Sequence, residues 1–285
     1  MSTERNRLYA KHGKDLLPQQ RSRFPFLYLE HGRLEVDDSS LKWIGVDTEV
    51  IRIPAATVTS LLLGPGSTVT HAAVRVAASV NCVLSWVGDD STIFYAHGHA
   101  STSDSRNMRQ QLQLASDPGS HIRVCRNMFG HRFSGDAVES KSLDELRGME
   151  GVRVRNTYAK FADYYGVQWG GRSFRPGAIA ESDITNRLLT VANSYLYGIV
   201  TSSIYGLGFS PHIGFIHTGS PLPFVYDIAD LYKEKQCIDL AFGMTSQLQG
   251  NYNKQLFLNA FVQRAIESNL LTSLSTDLLT LMECK

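Results

Sequence analysis

Between Phe24 and Tyr95 the apolar residues fall in short runs rich in β-branched and aromatic side chains: FPFLYLE, RLEV, LKWIGV, EVIRIP, VTSLLLGPG, CVLSWVGDD and TIFY. Gly, Pro, Asp and Ser separate these runs, and that punctuation predicts strands joined by turns. One Ala-rich insertion, THAAVRVAAS, opens on a threonine suited to cap a helix and predicts a single helix within the sheet region. After residue 106 the period becomes helical, with helices expected near 107–116, 119–132, 142–165, 183–206, 222–234, 236–248, 254–268 and 271–282. The change of period sets a boundary near residue 100, with the small polar stretch GHASTSDSR as a linker. The expected fold class is therefore α+β, divided into a basic N-terminal extension (1–23), a β-sheet domain (24–100) and a mostly α-helical domain (101–285).

Composition narrows the class. A chain of 285 residues that is 43% hydrophobic and 19% charged has ample material for a core, which excludes disorder and collagen-like repeats. Its net charge of +1 excludes binding to nucleic acid by bulk charge, so any such contact must come from a local patch. Residues 121–175 supply one, with Arg123, Arg126, Arg132, Arg147, Arg153 and Arg172 among its cations and Tyr158, Tyr164, Tyr165 and Trp169 between them. That mixture suits phosphate contacts and base stacking, and it equally describes a solvated helix face. Cys82, Cys125, Cys237 and Cys284 form no CxxC and have no neighbouring histidine to pair with, so they read as reduced thiols of a cytoplasmic protein. The polar first twenty residues predict no export signal. The apolar stretch from Leu188 to Val200 is too short and too interrupted to span a membrane, and predicts a buried helix.

Two segments could carry chemistry. The helix expected from Ser142 begins with a capping-box pair, Ser142 and Glu145, and continues as LRGMEGVRVRNTYAKFADYY. At 100° per residue Glu150 falls in the apolar stripe with Leu143, Leu146, Val154, Thr157 and Phe161. A carboxylate there must be paired or bind a metal, and an Arg147–Glu150–Arg153 salt cluster would be the plain structural solution. Gly148 and Gly151 weaken this helix and allow DNA or another chain to approach it closely. The second segment, GFIHTGSPLPFVYDIAD, places His217 before a helix carrying Asp227 and Asp230 on one face. Glu150, His217 and Asp230 together would make an oxygen and nitrogen site without thiolate, suited to Mg2+ or Mn2+ and hence to phosphate chemistry, with Asp227, on the same face, as a base behind the ligands or an alternative ligand. The glycine-rich GPGSTVTHAAV lacks the spacing of a phosphate-binding or dinucleotide loop.

The segments LRGMEGVRVRNTYAKFADYYGVQW and GFIHTGSPLPFVYDIAD, with LLLGPGSTVTHAAVRVAA and VLSWVGDD before them, resemble the signature segments of the CRISPR adaptation integrase, most closely its type I-E branch. The resemblance spans roughly residues 22–235. It implies an N-terminal β-sandwich that mediates homodimerisation and an α-helical metal-dependent catalytic domain. Two integrase dimers would flank a dimer of a small ferredoxin-like adaptation protein and hold a duplex with 3′ overhangs. Each 3′-hydroxyl would then attack a phosphodiester at the edge of a CRISPR repeat, which is antiviral spacer acquisition. Carried over residue by residue, the metal ligands are Glu150, His217 and Asp230, with Asp227 beside them as a further catalytic position. The resemblance also places Tyr197, Tyr226 and Arg172 near the DNA, and Arg147 and Arg153 are expected phosphate contacts. Ser220 stands where a DNA-contacting lysine is expected, and Ser173 and Phe174 stand where a basic residue and a tyrosine are expected.

Three functions follow from these residues: an integrase, a metal-dependent endonuclease acting on branched or double-stranded DNA, and a non-catalytic DNA-binding scaffold whose acidic cluster is only a salt-bridge network. The same ion can activate a DNA hydroxyl or a water, so residue types alone leave the first two open. The resemblance favours the integrase, acting in the cytoplasm without a membrane partner.

Overall fold

A computed structural model describes residues 22–38, 40–88, 94–98, 104–133, 138–173 and 182–283. The expected basic extension up to residue 21, most of the linker and Phe174 lie outside the described residues. The strands are β1 (Leu27–Leu29), β2 (Gly32–Asp37), β3 (Ser40–Gly45), β4 (Val50–Ile53), β5 (Ser60–Leu63), β6 (Ser67–Val69), β7 (Val83–Val87) and β8 (Phe94–Gly98). The Ala-rich insertion forms α1 (His71–Ser79), capped by the Thr70 side chain. Among the described residues the strands make two four-stranded sheets, ordered β1-β5-β7-β8 and β4-β3-β2-β6. In the first, β1, β5 and β7 are parallel and β8 is antiparallel. In the second, β2 and β3 form an antiparallel hairpin that β4 extends, and β6 adds parallel to β2.

The expected sandwich is present: Leu29, Leu61, Leu63 and Leu84 of one sheet pack with Leu34, Leu41, Trp43 and Ile53 of the other, and α1 adds Ala73 and Ala77. The SLLL run of β5 is apolar on both faces because both are covered. Leu61 and Leu63 face the sandwich, while Leu62 turns with Phe26 and Val87 into the core of the helical region.

The helices are α2 (Arg106–Ser116), α3 (Pro118–Arg132), α4 (Leu143–Tyr165), α5 (Ile184–Gly206), α6 (Pro223–Asp230), α7 (Asp239–Leu248), α8 (Lys254–Glu267) and α9 (Leu270–Leu281). Their starts follow the local chemistry. Asp117 caps α3 ahead of Pro118, the capping box of Ser142 and Glu145 opens α4, and Asp183 caps α5. Gly166, at φ +65°, ends α4 in the left-handed conformation. The stretch expected to be a buried helix is the middle of α5, and at Gly198 this helix comes so near β5 that an added Cβ would lie 2.7 Å from a Leu62 methyl. Phe26, Tyr195 and Phe261 stack across the same seam, with ring centroids 5.0–6.1 Å apart. No helix among the described residues is long and apolar enough to cross a membrane.

One helix differs from expectation. The segment expected at 222–234 stops at Asp230, and a π-helical stretch, Glu234–Ile238, follows before α7. Lys233, three residues after Asp230, pairs with it, with Nζ 2.6 Å from Oδ1.

Candidate active site

The His217 loop is built around Asp227. Helix α6 opens at Pro223, which puts Asp227 one turn inside it with its side chain fully buried. Its Oδ2 accepts the backbone N–H groups of Phe215 at 2.6 Å and Ile216 at 3.2 Å, and its Oδ1 accepts that of His217 at 2.9 Å. Oδ1 also lies 2.8 Å from His217 Nδ1. A carboxylate only accepts, so Nδ1 carries the proton and Nε2 presents its lone pair outward. Both Asp227 oxygens are thus committed, which places Asp227 behind His217 as the residue that positions it. This hydrogen bond is also the main reason the His217 pKa is raised above its usual value.

His217 Nε2 points toward Asp230, whose Oδ2 is 3.7 Å away. Burial works against the charge of Asp230, but Lys233, Arg132 and His217 outweigh it and hold the carboxyl below its usual pKa. Glu150 reaches the same place from the middle of α4. Its partner is neither Arg147 nor Arg153 but Arg132, the last residue of α3, with Nη1 2.5 Å from Glu150 Oε1 and 3.8 Å from Asp230 Oδ2. The salt cluster expected on α4 is therefore replaced by an inter-helix bridge, because both α4 arginines turn elsewhere. Arg147 donates to the Ile216 carbonyl at 3.1 Å and pairs with Asp144, and Arg153 lies over the Phe133 ring and beside Glu234.

Among the described residues no three His, Cys, Asp or Glu side chains stand close enough together to chelate a metal. Two of the three expected ligands, His217 and Asp230, face each other, and Arg132 separates Glu150 from them. The donor set of two carboxylates and an oriented imidazole still fits a hard divalent cation in kind, since each partner of the carboxylates is itself a cation.

The expected DNA-contacting residues divide. Tyr197 and Tyr226 form an edge-to-face pair 5.1 Å apart beside His217, and Lys233 lies 5.1 Å over the Tyr197 ring. Arg172 is drawn into the start of α5 by Asn186 and by Thr190, at 2.8 Å. Burial lowers its pKa. Ser220 sits in the turn after Gly219, just ahead of α6. Glu150 and Asp230 lie in a cleft of about 980 Å3 lined also by Arg153, Arg172, Tyr158, Tyr197, Lys233 and Lys235. Sequence reasoning placed Arg132 in the basic patch but missed it as the partner of Glu150, and it missed Lys233, although three residues after Asp230 is a visible spacing. It also missed that His121 stands one helical turn before Cys125, 3.9 Å from its sulfur. That pair is inert, because burial pushes the Cys125 thiol up to about 12.

A family described as "CRISPR associated protein Cas1" matches residues 131–259, the span that contains every one of these charged groups. A protein from Chlorobaculum tepidum named CRISPR-associated endonuclease Cas1 2 is 49% identical over 97% of this chain and 93% of its own. The chain belongs to the Cas1 family. Cas1 from Escherichia coli K12 is 38% identical over 84% of this chain and 78% of its own. A crystal structure of a TtCas1–DNA complex superposes with a TM-score of 0.81 at 36% identity, covering 90% of this chain and 91% of that one. These relatives match across both the sandwich and the helical region, so the likeness extends beyond the site.

Proposed function

We propose that this Cas1 protein is a metal-dependent DNA integrase that inserts short foreign duplexes into a CRISPR array. The observation that carries the reading is that Asp230 faces the Asp227-oriented His217 and, with Glu150, lines a cleft whose walls also carry arginine, lysine and tyrosine. Such walls suit a DNA strand, whose phosphates pair with arginine and lysine and whose bases stack on tyrosine. Relatives named endonucleases and a relative crystallised with DNA support the same substrate.

Glu150, His217 Nε2 and Asp230 are the groups that would hold Mg2+ or Mn2+. The ion, when bound, supplies Lewis acidity at a phosphoryl oxygen and lowers the pKa of an attacking hydroxyl. The protein's own share is positional. Asp227 fixes the tautomer and direction of His217, Arg147 ties the Ile216 carbonyl to α4, and Lys233 keeps Asp230 ionised. Tyr158, Tyr197 and the cleft arginines Arg153 and Arg172 would hold the strand so that its 3′-hydroxyl lies in line with a repeat phosphodiester. The sandwich is read as the homodimer surface, and a small ferredoxin-like adaptation protein as the partner bridging two such dimers.

The test is transfer of a labelled duplex with 3′ overhangs into a supercoiled plasmid carrying a leader and repeat, with the adaptation partner present. Label joined to plasmid in Mn2+ but not EDTA, and lost in Glu150→Gln and His217→Ala, supports the integrase. Metal-dependent cutting without joining replaces it with an endonuclease, and binding without any product replaces it with a scaffold.

A further inference from the structure

Arg132 ends α3, where a cation is favoured by the helix carbonyls, and its side chain is only 11% exposed. Its Nη1 stands between Glu150 and Asp230, two carboxylates that are themselves 18% and 9% exposed. Desolvated carboxylates this close require compensating charge. Lys233 takes only Oδ1 of Asp230. Oδ2 faces His217 Nε2 at 3.7 Å and Arg132 at 3.8 Å, both longer than a hydrogen bond, so this oxygen and the imidazole lone pair converge without being saturated. Each expected carboxylate donor is held through one oxygen, Asp230 by Lys233 and Glu150 by Arg132, and the Arg132 charge sits on a long, rotatable arm that reaches between them.

We propose that Arg132 is an exchangeable counter-cation. Its guanidinium neutralises Glu150 and Asp230 before a divalent ion arrives and releases Glu150 as the ion binds. The inference rests on the metal reading above. Charge makes the exchange necessary: Arg132 and Lys233 already balance the two carboxylates, so an added divalent ion over-fills the site unless one cation leaves. Lys233 contacts Oδ1 of Asp230, whereas Arg132 stands between Glu150 and Oδ2 of Asp230. The released guanidinium stays in the cleft that it already lines with Arg153, Arg172 and Lys235, where a DNA phosphate is a matching bidentate partner.

The experiment is a Mn2+ titration of the full chain followed by the electron paramagnetic resonance of free Mn2+, with thermal melts in EDTA and in Mn2+. Arg132→Gln is expected to bind Mn2+ about tenfold more tightly than wild type, because the competing cation is gone. The same variant should melt lower in EDTA and recover most of that loss in Mn2+. Arg132→Lys, which keeps the charge on a shorter arm, is expected to fall between, and carries the test alone if the Gln variant does not fold. Unchanged Mn2+ affinity with equal destabilisation in both buffers makes Arg132 a plain salt bridge and overturns the exchange alone. Absence of any Mn2+ binding in wild type that Glu150→Gln abolishes overturns the metal reading and the exchange with it.

Discussion

Asp227 holds His217 by Nδ1 at 2.8 Å while its two oxygens collect the backbone N–H groups of residues 215–217, so one buried carboxylate sets both the loop and the face of the imidazole. The loop has no regular structure to hold it, and this one side chain replaces the missing ladder.

Asp227→Asn is therefore expected to destabilise the protein by about 2–4 kcal/mol, since an amide offers N–H where three donors and an imidazole already point. Urea unfolding measures the loss. In the metal-free wild type, the raised His217 pKa adds stability below the ordinary value of 6.5 that disappears as pH climbs through the raised one. The variant should lose that increment, and a histidine NMR titration should show His217 deprotonating at lower pH.

Gly148 lies on the outer face of α4, and a Cβ built there meets nothing within 4 Å. Gly148→Ala should raise stability by about 0.5–1 kcal/mol through helix propensity. DNA anisotropy in the same variant decides its role. Weakened binding marks Gly148 as a point of close approach, and unchanged binding removes this face from the DNA path.

Ser142→Ala should cost about 1 kcal/mol by opening the capping box. The hydrogen bonds from Ser142 to Glu145 hold that carboxyl below its ordinary value of 4.5. A depressed carboxylate pKa adds stability above the ordinary value and loses it as pH falls through the depressed one. Acid unfolding of wild type should show that loss, and Ser142→Ala should reduce it in part, because the backbone N–H of residue 142 still donates to Glu145.

Gly198→Ala should cost about 1–3 kcal/mol, because the new methyl would lie 2.7 Å from a methyl of the fully buried Leu62, which must shift within the core. A double-mutant cycle with Leu62→Ala should show strong coupling. Because Phe26, Leu62 and Val87 share one core with α5 and α8, calorimetry should show strands and helices melting in a single transition.

The elements were legible because their signals are local. The doublet of Ser142 and Glu145, the threonine before HAAVRVAAS and the alternation of the strand runs each act within a few residues. The break after Asp230 was not legible, because nothing in DIADLYKEKQ disfavours a continuous helix. In the site, a histidine followed by two carboxylates on a helix face was enough to single out His217, Asp227 and Asp230. Their division of labour was not, since spacing is the same for a carboxylate that accepts backbone N–H groups and for one that faces a cleft.

The chain alone thus settles the α+β order of its elements, the buried character of α5 and the residue types brought to the site, because periodicity, capping and desolvation cost act along the sequence. Tertiary packing alone decides that Leu62 joins the helical core, that Asp227 is spent on a loop, and that Glu150 meets Arg132 instead of its neighbours Arg147 and Arg153. Glu150 and Arg132 sit on different helices, so their meeting depends on how α3 packs against α4. No local spacing encodes that angle; it follows from which side chains fill the core between the two helices.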